Sequence, residues 1–469
     1  MKLVRHIVSW GVWSLLALYV LILILTHIPV CQQLLGKKVA EVLSEKLATR
    51  VSIGSVDMGL LNRVIISDLA IYDQNDTLML RTARLSVKMD VLPLTEGKVS
   101  ISSAQLFGAH GRFYRKDSLS SPNFQFVIDS LASKDTTSTT PLDLRINSLI
   151  IRRSSIRYDQ NDKPDADGLF TLSHMNVDDI SAHIALKKLT EDSIDINIKR
   201  LRLSEQSGLD INNLTMRLQA GRHGAELKDM RLEMPSSLIA IDTLTATYTM
   251  NGDKILTETA DYHLKMSTTH ITPSDLRCFY APLKNAQKKI NMQATIDGKG
   301  LAPTLQELHM WSEAGDMNLM ATGQADFSLS KPSWSAKVTD LTLSEAIIDY
   351  LQKNIPDIPR QLTYIGNLKV TGSAYGEPDG ALTAKTHIST DIGNMGLDFF
   401  MTGTKQFRGS IETEGLDISW LTEESQLGQL AADLNIDGQL ATTVPTINVQ
   451  GMVTRLDYKD YPFANINLI

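Results

Sequence analysis

From about residue 50 onward, apolar and polar residues of this 469-residue chain alternate with a period of two, and this pattern limits the fold more than any other feature. Successive side chains of a β-strand point to opposite faces, so the alternation describes strands with one dry and one wet face. "KVSISSAQL" carries Val99 and Ile101, and "DSIDINIKRLRLSE" carries Ile194, Ile196 and Ile198. Leu201 and Leu203 then follow with the opposite parity, which predicts a β-bulge. "KKINMQATIDGKG" contributes Ile290, Met292, Ala294 and Ile296; "IGNLKVTGSAYG" contributes Leu368 and Val370. "ALTAKTHIST" adds Leu382, Ala384 and Ile388, and "ADLNIDGQL" adds Leu434 and Ile436. One-sided strands of this kind belong to antiparallel sheets.

The strands are punctuated by "MNGDK" (Met250–Lys254), "IDGKG" (Ile296–Gly300), "GEPDG" (Gly376–Gly380) and "IDGQL" (Ile436–Leu440). Asn-Gly and Asp-Gly tolerate positive φ, so all four read as tight turns. Helices are few and short. "SEAIIDYLQKNIP" has Ser344 as N-cap and ends before Pro356, while "SDLRCFYAPLK" from Ser274 and "SWLTEESQLG" from Ser419 read as one or two turns. Asp129–Pro141, rich in Ser and Thr, reads as an exposed loop.

The pentapeptide YDQND occurs at 72–76 and again at 158–162, each time closing an apolar run. Both copies are followed by an alternating strand, a loop and another alternating strand. The pattern reads as one supersecondary unit used twice, within an extended array rather than a closed globule. Asp73 and Asp159 are expected at wet turns, where replacement by Asn leaves function nearly intact.

The first thirty residues form a separate element. Lys2 and Arg5 precede an uncharged run through Trp10, Trp13, Leu16, Leu18, Leu21 and Leu23. A helix of about 20 apolar residues spans a bilayer core of roughly 30 Å. The positive residues place the N-terminus in the cytoplasm and the remainder of the chain across the membrane. A cleaved signal peptide needs a shorter apolar region and an A-x-A-like site, and a lipoprotein signal needs a small residue where Val30 precedes Cys31. An uncleaved anchor is therefore expected. Leu34, Leu35, Val39, Val42, Leu43 and Leu47 follow at helical spacing, predicting an amphipathic helix that caps the fold or lies on the membrane.

Composition removes several function classes. A net charge of −7 and 6% aromatic residues argue against a nucleic-acid surface. Two cysteines are too few for a disulfide framework. "DQNDKPDADG" fails as a calcium loop, because placing Gly168 sixth puts Lys163 first and His174 twelfth. His174, Asp178, Asp179 and His183 sit at alternating polar positions where exposure is expected, and no catalytic or dinucleotide fingerprint is present. The reading is a non-enzymatic protein without cofactor or metal.

A long one-sided sheet must bury its dry face against something. A second sheet gives a sandwich; otherwise the sheet curls into a trough whose apolar interior suits acyl chains. In the trough, the lining candidates by alternation are Ile194, Ile196, Ile198, Met292, Ala294, Ile296, Val370 and Leu382.

The anchor, "VSIGSVDMGLLNRVIISDLAIYDQNDTLMLRTARLSVKMDVLPL", "NFQFVIDSL" and "GSIETEGLDISWLTEESQLGQLAADLNIDGQL" together resemble the N-terminal portion of the TamB family of the AsmA-like superfamily. The resemblance covers essentially the whole chain and rests on the order of apolar and Gly positions. It implies a mainly β fold: a transmembrane helix, then a repetitive antiparallel-rich sheet curled into an open hydrophobic groove with a few short helices. It also implies a periplasmic bridge, anchored in a bacterial inner membrane, that carries phospholipids toward the outer membrane. The alternative implied role is assembly of outer-membrane β-barrel proteins with an outer-membrane partner, which is met through a C-terminal region not recognisable here. The expected organisation is an anchor at 1–31, an amphipathic helix at 32–50, β units at 51–140 and 141–270, and AsmA-like repeats at 271–469. The chain ends in "YPFANINLI", inside an alternating pattern, and is expected to be the front part of a longer protein.

Overall fold

A computed structural model describes residues 10, 13, 14, 17, 28–59, 62–89, 99–132, 142–143, 147–165, 167–190, 193–252, 254–328, 330–355, 358, 360–419, 426–440, 445–459 and 461–469. The chain divides into two compact units, residues 1–219 with 232–235, and residues 220–231 with 236–469. Of the expected anchor, Trp10 and Trp13 are helical and largely exposed, whereas Leu16, Leu18, Leu21 and Leu23 lie outside the described residues. Among the described residues no helix is long and apolar enough to cross a membrane.

The first unit opens with helix α1 (Pro29–Leu47), whose Pro at the first helical turn fits a position where no backbone N–H is needed. Strands β1 (Val51–Ser52), β2 (Ser55–Gly59), β3 (Arg63–Tyr72), β4 (Leu78–Met89) and β5 (Val99–Arg115) follow. After helix α2 (Gln125–Ala132) come β6 (Leu142–Asp143), β7 (Ser148–Gln160), β8 (His174–Thr190) and β9 (Ser193–Glu205). Strands β3, β4 and β5 form an antiparallel meander, and β7, β8 and β9 form a second one. The two meanders meet through a parallel β5–β7 pair, in register from Ser103↔Ser148 to Arg115↔Gln160. The sheet is therefore mixed at this point. Residues Asp129–Ala132, read from sequence as loop, complete α2: the apolar spacing of Phe126 and Val127 packs that helix onto the core beneath α1.

Strands β10 (Asp210–Ile211), β11 (Asn213–Gly221) and β12 (Gly224–Glu233) come next in the chain. The second unit contains β13 (Leu238–Asn251), β14 (Lys254–Ile271), β15 (Ile290–Lys299), β16 (Ala302–Ser312), β17 (Met317–Asp326) and β18 (Ser333–Leu343). Helix α3 (Glu345–Asn354) intervenes before β19 (Leu368–Gly376), β20 (Leu382–Thr390), β21 (Gly393–Met401), β22 (Gln406–Asp417), β23 (Leu427–Gln439), β24 (Thr446–Tyr458) and β25 (Tyr461–Leu468). Every consecutive pair from β13 to β25 is antiparallel. Among the described residues neither unit closes into a barrel, and in neither does a second sheet stack on the first. Ser344 caps α3 as expected, its Oγ accepting from Ile347 N at 3.3 Å. The stretch after Ser274 forms two 3₁₀ turns, Pro273–Leu276 and Ala281–Asn285. In Ser419–Gly428, residues 420–425 lie outside the described residues.

The predicted bulge in β9 is present. Ile198 pairs with Ile184 and Arg200 with His183, leaving Lys199 as the extra residue. The bulge restores Leu201 to the face of Ile198, so the change of parity in sequence preserves the dry face in space. In the first unit, Asp68, Gly108, Arg153 and Asp179 all adopt φ of 50 to 63° within their strands.

Two of the four predicted turns are corrected. Asn251–Gly252 and Glu377–Gly380 do connect hairpins. Asp297–Gly298 and Asp437–Gly438 instead lie inside β15 and β23, and the β15–β16 hairpin turns two residues later, at Gly300 (φ 60°) and Leu301, still within reach of the IDGKG signal. At Gly298 the ring of Tyr262 on the neighbouring strand lies over the backbone, so an added Cβ would sit 2.0 Å from it. Phe407 covers Gly438 in the same way, with 2.8 Å to Cζ. These glycines make room for a cross-strand aromatic ring, a use that Asp-Gly spelling does not distinguish from a turn.

The YDQND copies also separate. The first closes the β3–β4 hairpin. Asp73, only 2% exposed, accepts from Asn75 N and Thr77 N at 2.9 Å through Oδ1. Its Oδ2 accepts from the Tyr114 hydroxyl at 2.9 Å and Asn123 Nδ2 at 3.3 Å. Arg50 stacks 3.5 Å over Tyr72 and pairs with Asp76 at 2.9 Å. In the second copy Asp159 is still within β7, paired with Arg157 at 2.8 Å and His174 at 3.3 Å, and the chain turns only after Gln160. The reading of Asp73 as a wet turn residue is corrected: its carboxylate is the buried hub of the turn.

Candidate functional site

Residues paired across an antiparallel ladder share a face, so the register converts alternation into rows that cross the sheet. In the first unit one row runs Val64–Val87–Ala104–Leu149–Ile184–Ile198. The next runs Ile66–Leu85–Leu106–Ile151–Ala182–Leu201. Ile196 pairs with Leu186 and Ile194 with Leu189. All three candidates from the sequence therefore lie on one apolar face of this unit.

The second unit repeats the arrangement. A row runs Met292–Met310–Leu319–Leu341–Val370–Ile388–Met395 without a polar residue. Ala294 heads a parallel row through Leu308, Ala321 and Val338, and Ile296 joins Leu264 to Leu305. Leu382 pairs with Gly376, which shares the parity of Val370 in β19. Met292, Ala294, Ile296, Val370 and Leu382 thus share one face. Alternation alone missed Leu264, Met310, Leu319, Leu341 and Met395, which the register adds; their signal is the same period of two in strands not singled out.

The opposite face of the second unit carries polar cross-strand pairs. His263 Nδ1 lies 2.6 Å from Asp297 Oδ1, and that hydrogen bond holds the carboxyl below its ordinary range. His309 bonds Asn318 at 2.9 Å, Asn318 bonds Asp340 at 2.7 Å, and Lys385 meets Asp398 at 3.5 Å. The two faces are chemically distinct along the length of the ladder.

Helices cover only part of the apolar face. In the first unit Leu47, Val51, Ile53, Val56 and Leu69 form a buried cluster, with Val39, Ala40 and Leu43 of α1 and Val64, Ile66 and Leu85 of the sheet packed against it. The helix after the expected anchor is thus a cap on the sheet. In the second unit Ile347 and Ile348 of α3 are 0% and 3% exposed, and they pack with Ile365 against Met317, Leu343 and Leu368. That is one margin of the face. The row from Met292 to Met395 lies beside this plug, and its members remain of intermediate exposure.

Among the described residues His174, Asp178, Asp179 and His183 do not come together as a cluster. His174 bonds Asp159 and the Lys163 carbonyl, and the carbonyl contact foremost raises its pKa. His183 lies opposite Ile150 and Arg200, and Asp179 occupies a bulge. Among the described residues no group of three His, Cys, Asp or Glu side chains is placed to hold a metal ion. What the geometry offers is surface: a strip of aliphatic and thioether side chains, several strands wide, bounded by short helical plugs. In comparisons with protein families, curated proteins and solved structures, no match to this chain was found.

Proposed function

We propose that this protein is a non-enzymatic lipid-carrying scaffold of the TamB type, held in a bacterial inner membrane by residues 1–31, with its β units in the periplasm. The observation that carries this reading is the apolar row Met292–Met310–Leu319–Leu341–Val370–Ile388–Met395, which crosses seven neighbouring strands, contains no polar residue and, among the described residues, has no second sheet stacked on it. A water-exposed strip of this kind is costly unless something apolar lies on it. Each methylene of an acyl chain laid along it contributes about 0.8 kcal/mol of transfer free energy. No pocket specific to one chain length is needed, and the phospholipid headgroup stays in water. Ile194 and Ile196, of intermediate exposure, offer the same kind of surface in the first unit, whereas Ile198 is buried.

The test is site-specific photo-crosslinking in cells. A photoreactive residue at Met292, Ile296, Val370 or Leu382 should trap phospholipid, whereas one at Gln293, Thr295, Lys369 or Thr383 on the wet face should not. Equal labelling of both sets would sink the proposal. Capture of unfolded polypeptide in place of lipid would move the reading to assembly of β-barrel proteins.

A further inference from the structure

The wet face of the first unit differs from that of the second. Phe107 pairs with Arg84 on one side and Arg152 on the other; Ile150 pairs with His183, which pairs with Arg200; and Ser181 pairs with Arg202. These residues have the parity opposite to Leu106 and Ile151, and so lie on the face turned away from the apolar rows. Two cavities of about 720 and 400 Å³ open here. They share Phe107, Ile150 and Arg152 as walls, the larger also has Arg153, Lys199, Arg200 and Arg202, and Leu106, Ile151 and Ala182 of the apolar row border them as well.

Cations set side by side on a sheet repel one another unless an anion intervenes. Among the described residues, none of Arg84, Arg152, Arg153, Lys199, Arg200 and Arg202 forms an ion pair. Of the residues lining the two cavities, none is an aspartate or glutamate. Two strand irregularities build the cluster. The extra residue Lys199 sits between Ile198 and Arg200, and Arg153 takes φ 50° at a register shift of β7 against β8, where Asp179 of β8 takes φ 52°. Left-handed backbone suits Gly, Asn and Asp; an arginine there is an outlier of the kind that accompanies functional sites.

We propose that this cavity is a binding site for a phosphate-bearing small molecule or headgroup. Guanidinium forks match phosphoryl oxygens in pairs, which a lysine cannot do. The 720 Å³ volume is in the range of small-ligand pockets. Phe107 and Ile150 supply an apolar wall for the part of the ligand next to the phosphate. A long polyanion fits poorly, because the chain as a whole carries −7 and the cavity walls offer only the rings of Phe107 and His183 for a base to stack on. The proposal is independent of acyl carriage, which concerns the opposite face.

The test uses the full chain in neutral detergent. Pyrophosphate is titrated calorimetrically, and phosphatidic acid vesicles are compared with phosphatidylcholine vesicles by co-sedimentation. The triple variant R152Q/R200Q/R202Q should weaken binding of whichever probe binds by about tenfold or more. K337Q/K369Q/K385Q, which removes equal charge from the wet face of the second unit, should leave binding unchanged. Binding of pyrophosphate identifies a soluble phosphate source; binding of phosphatidic acid vesicles alone identifies a lipid headgroup; both support the site. If neither probe binds better than chloride and phosphatidylcholine, if the two triple variants weaken binding equally, or if a single-stranded oligonucleotide outcompetes both, the proposal is overturned. Should the glutamine variant fail to fold, R152K/R200K/R202K decides, since it keeps the charge: weakened binding supports forked contacts, and wild-type binding overturns them.

Discussion

At Asp73 four donors converge on one buried carboxylate, two from its own turn and two from Tyr114 and Asn123 far along the chain. Replacement by Asn puts an N–H₂ group where two of these donors point, and should cost about 1–3 kcal/mol of stability, read by denaturant unfolding. The equivalent change at Asp159, whose side chain is 23% exposed, should cost less than about 1 kcal/mol. Burial pushes the Asp73 pKa up, but the bonds from Thr77, Tyr114, Asn75 and Asn123 outweigh it and leave it below 3.8. Its stabilising contribution is therefore complete above that pH and is lost as pH falls through the lower folded value. His174 behaves in the opposite sense. The Lys163 carbonyl and then Asp159 raise its pKa above 6.5, so its contribution is full below 6.5 and is lost as pH rises through the folded value. Unfolding measured from pH 5 to 9 should lose this dependence in His174→Gln. The sequence showed the turn but not the burial of Asp73, because the groups that enclose it come from a strand and loop that only the fold brings near.

Helix α3 is the clearest case at the scale of elements. Its two inward isoleucines are the most buried side chains of the second unit's small core, so Ile347→Ala should destabilise that unit by about 2–5 kcal/mol. Loss of the Ser344 cap should cost about 1 kcal/mol, measured in the same unfolding experiment. Both the helix and its cap were legible in "SEAIIDYLQKNIP", because capping and 3.6-residue spacing are local signals. Strand parity was equally legible, including the bulge at Lys199. The roles of Gly298 and Gly438 were not, since an in-strand glycine under a neighbouring ring depends on the cross-strand residue. Gly298→Ala forces the Tyr262 ring aside and should cost about 1–3 kcal/mol, with a change in the tyrosine near-ultraviolet signal.

Each unit is a single-layer sheet with small helical plugs, and the row from Met292 to Met395 accordingly keeps intermediate exposure. The candidate face was legible because the dry parity repeats in every strand; which rows connect was not, because register is set by bulges and by the parallel β5–β7 pair. Stability spread over neighbour-to-neighbour pairs predicts that thermal unfolding proceeds in more than one step, visible as broad or separate calorimetric transitions. A single sharp transition with matching calorimetric and van't Hoff enthalpies would contradict this. The order of strands has a further consequence in time. Apart from the β5–β7 link, each long strand from β3 to β9 and from β13 to β25 pairs with the one just before it in the chain. Ring closures during folding are consequently short and inexpensive in entropy. A strand emerging from synthesis finds its partner already waiting, so the sheet can grow from its N-terminal end while the rest of the chain is still being made.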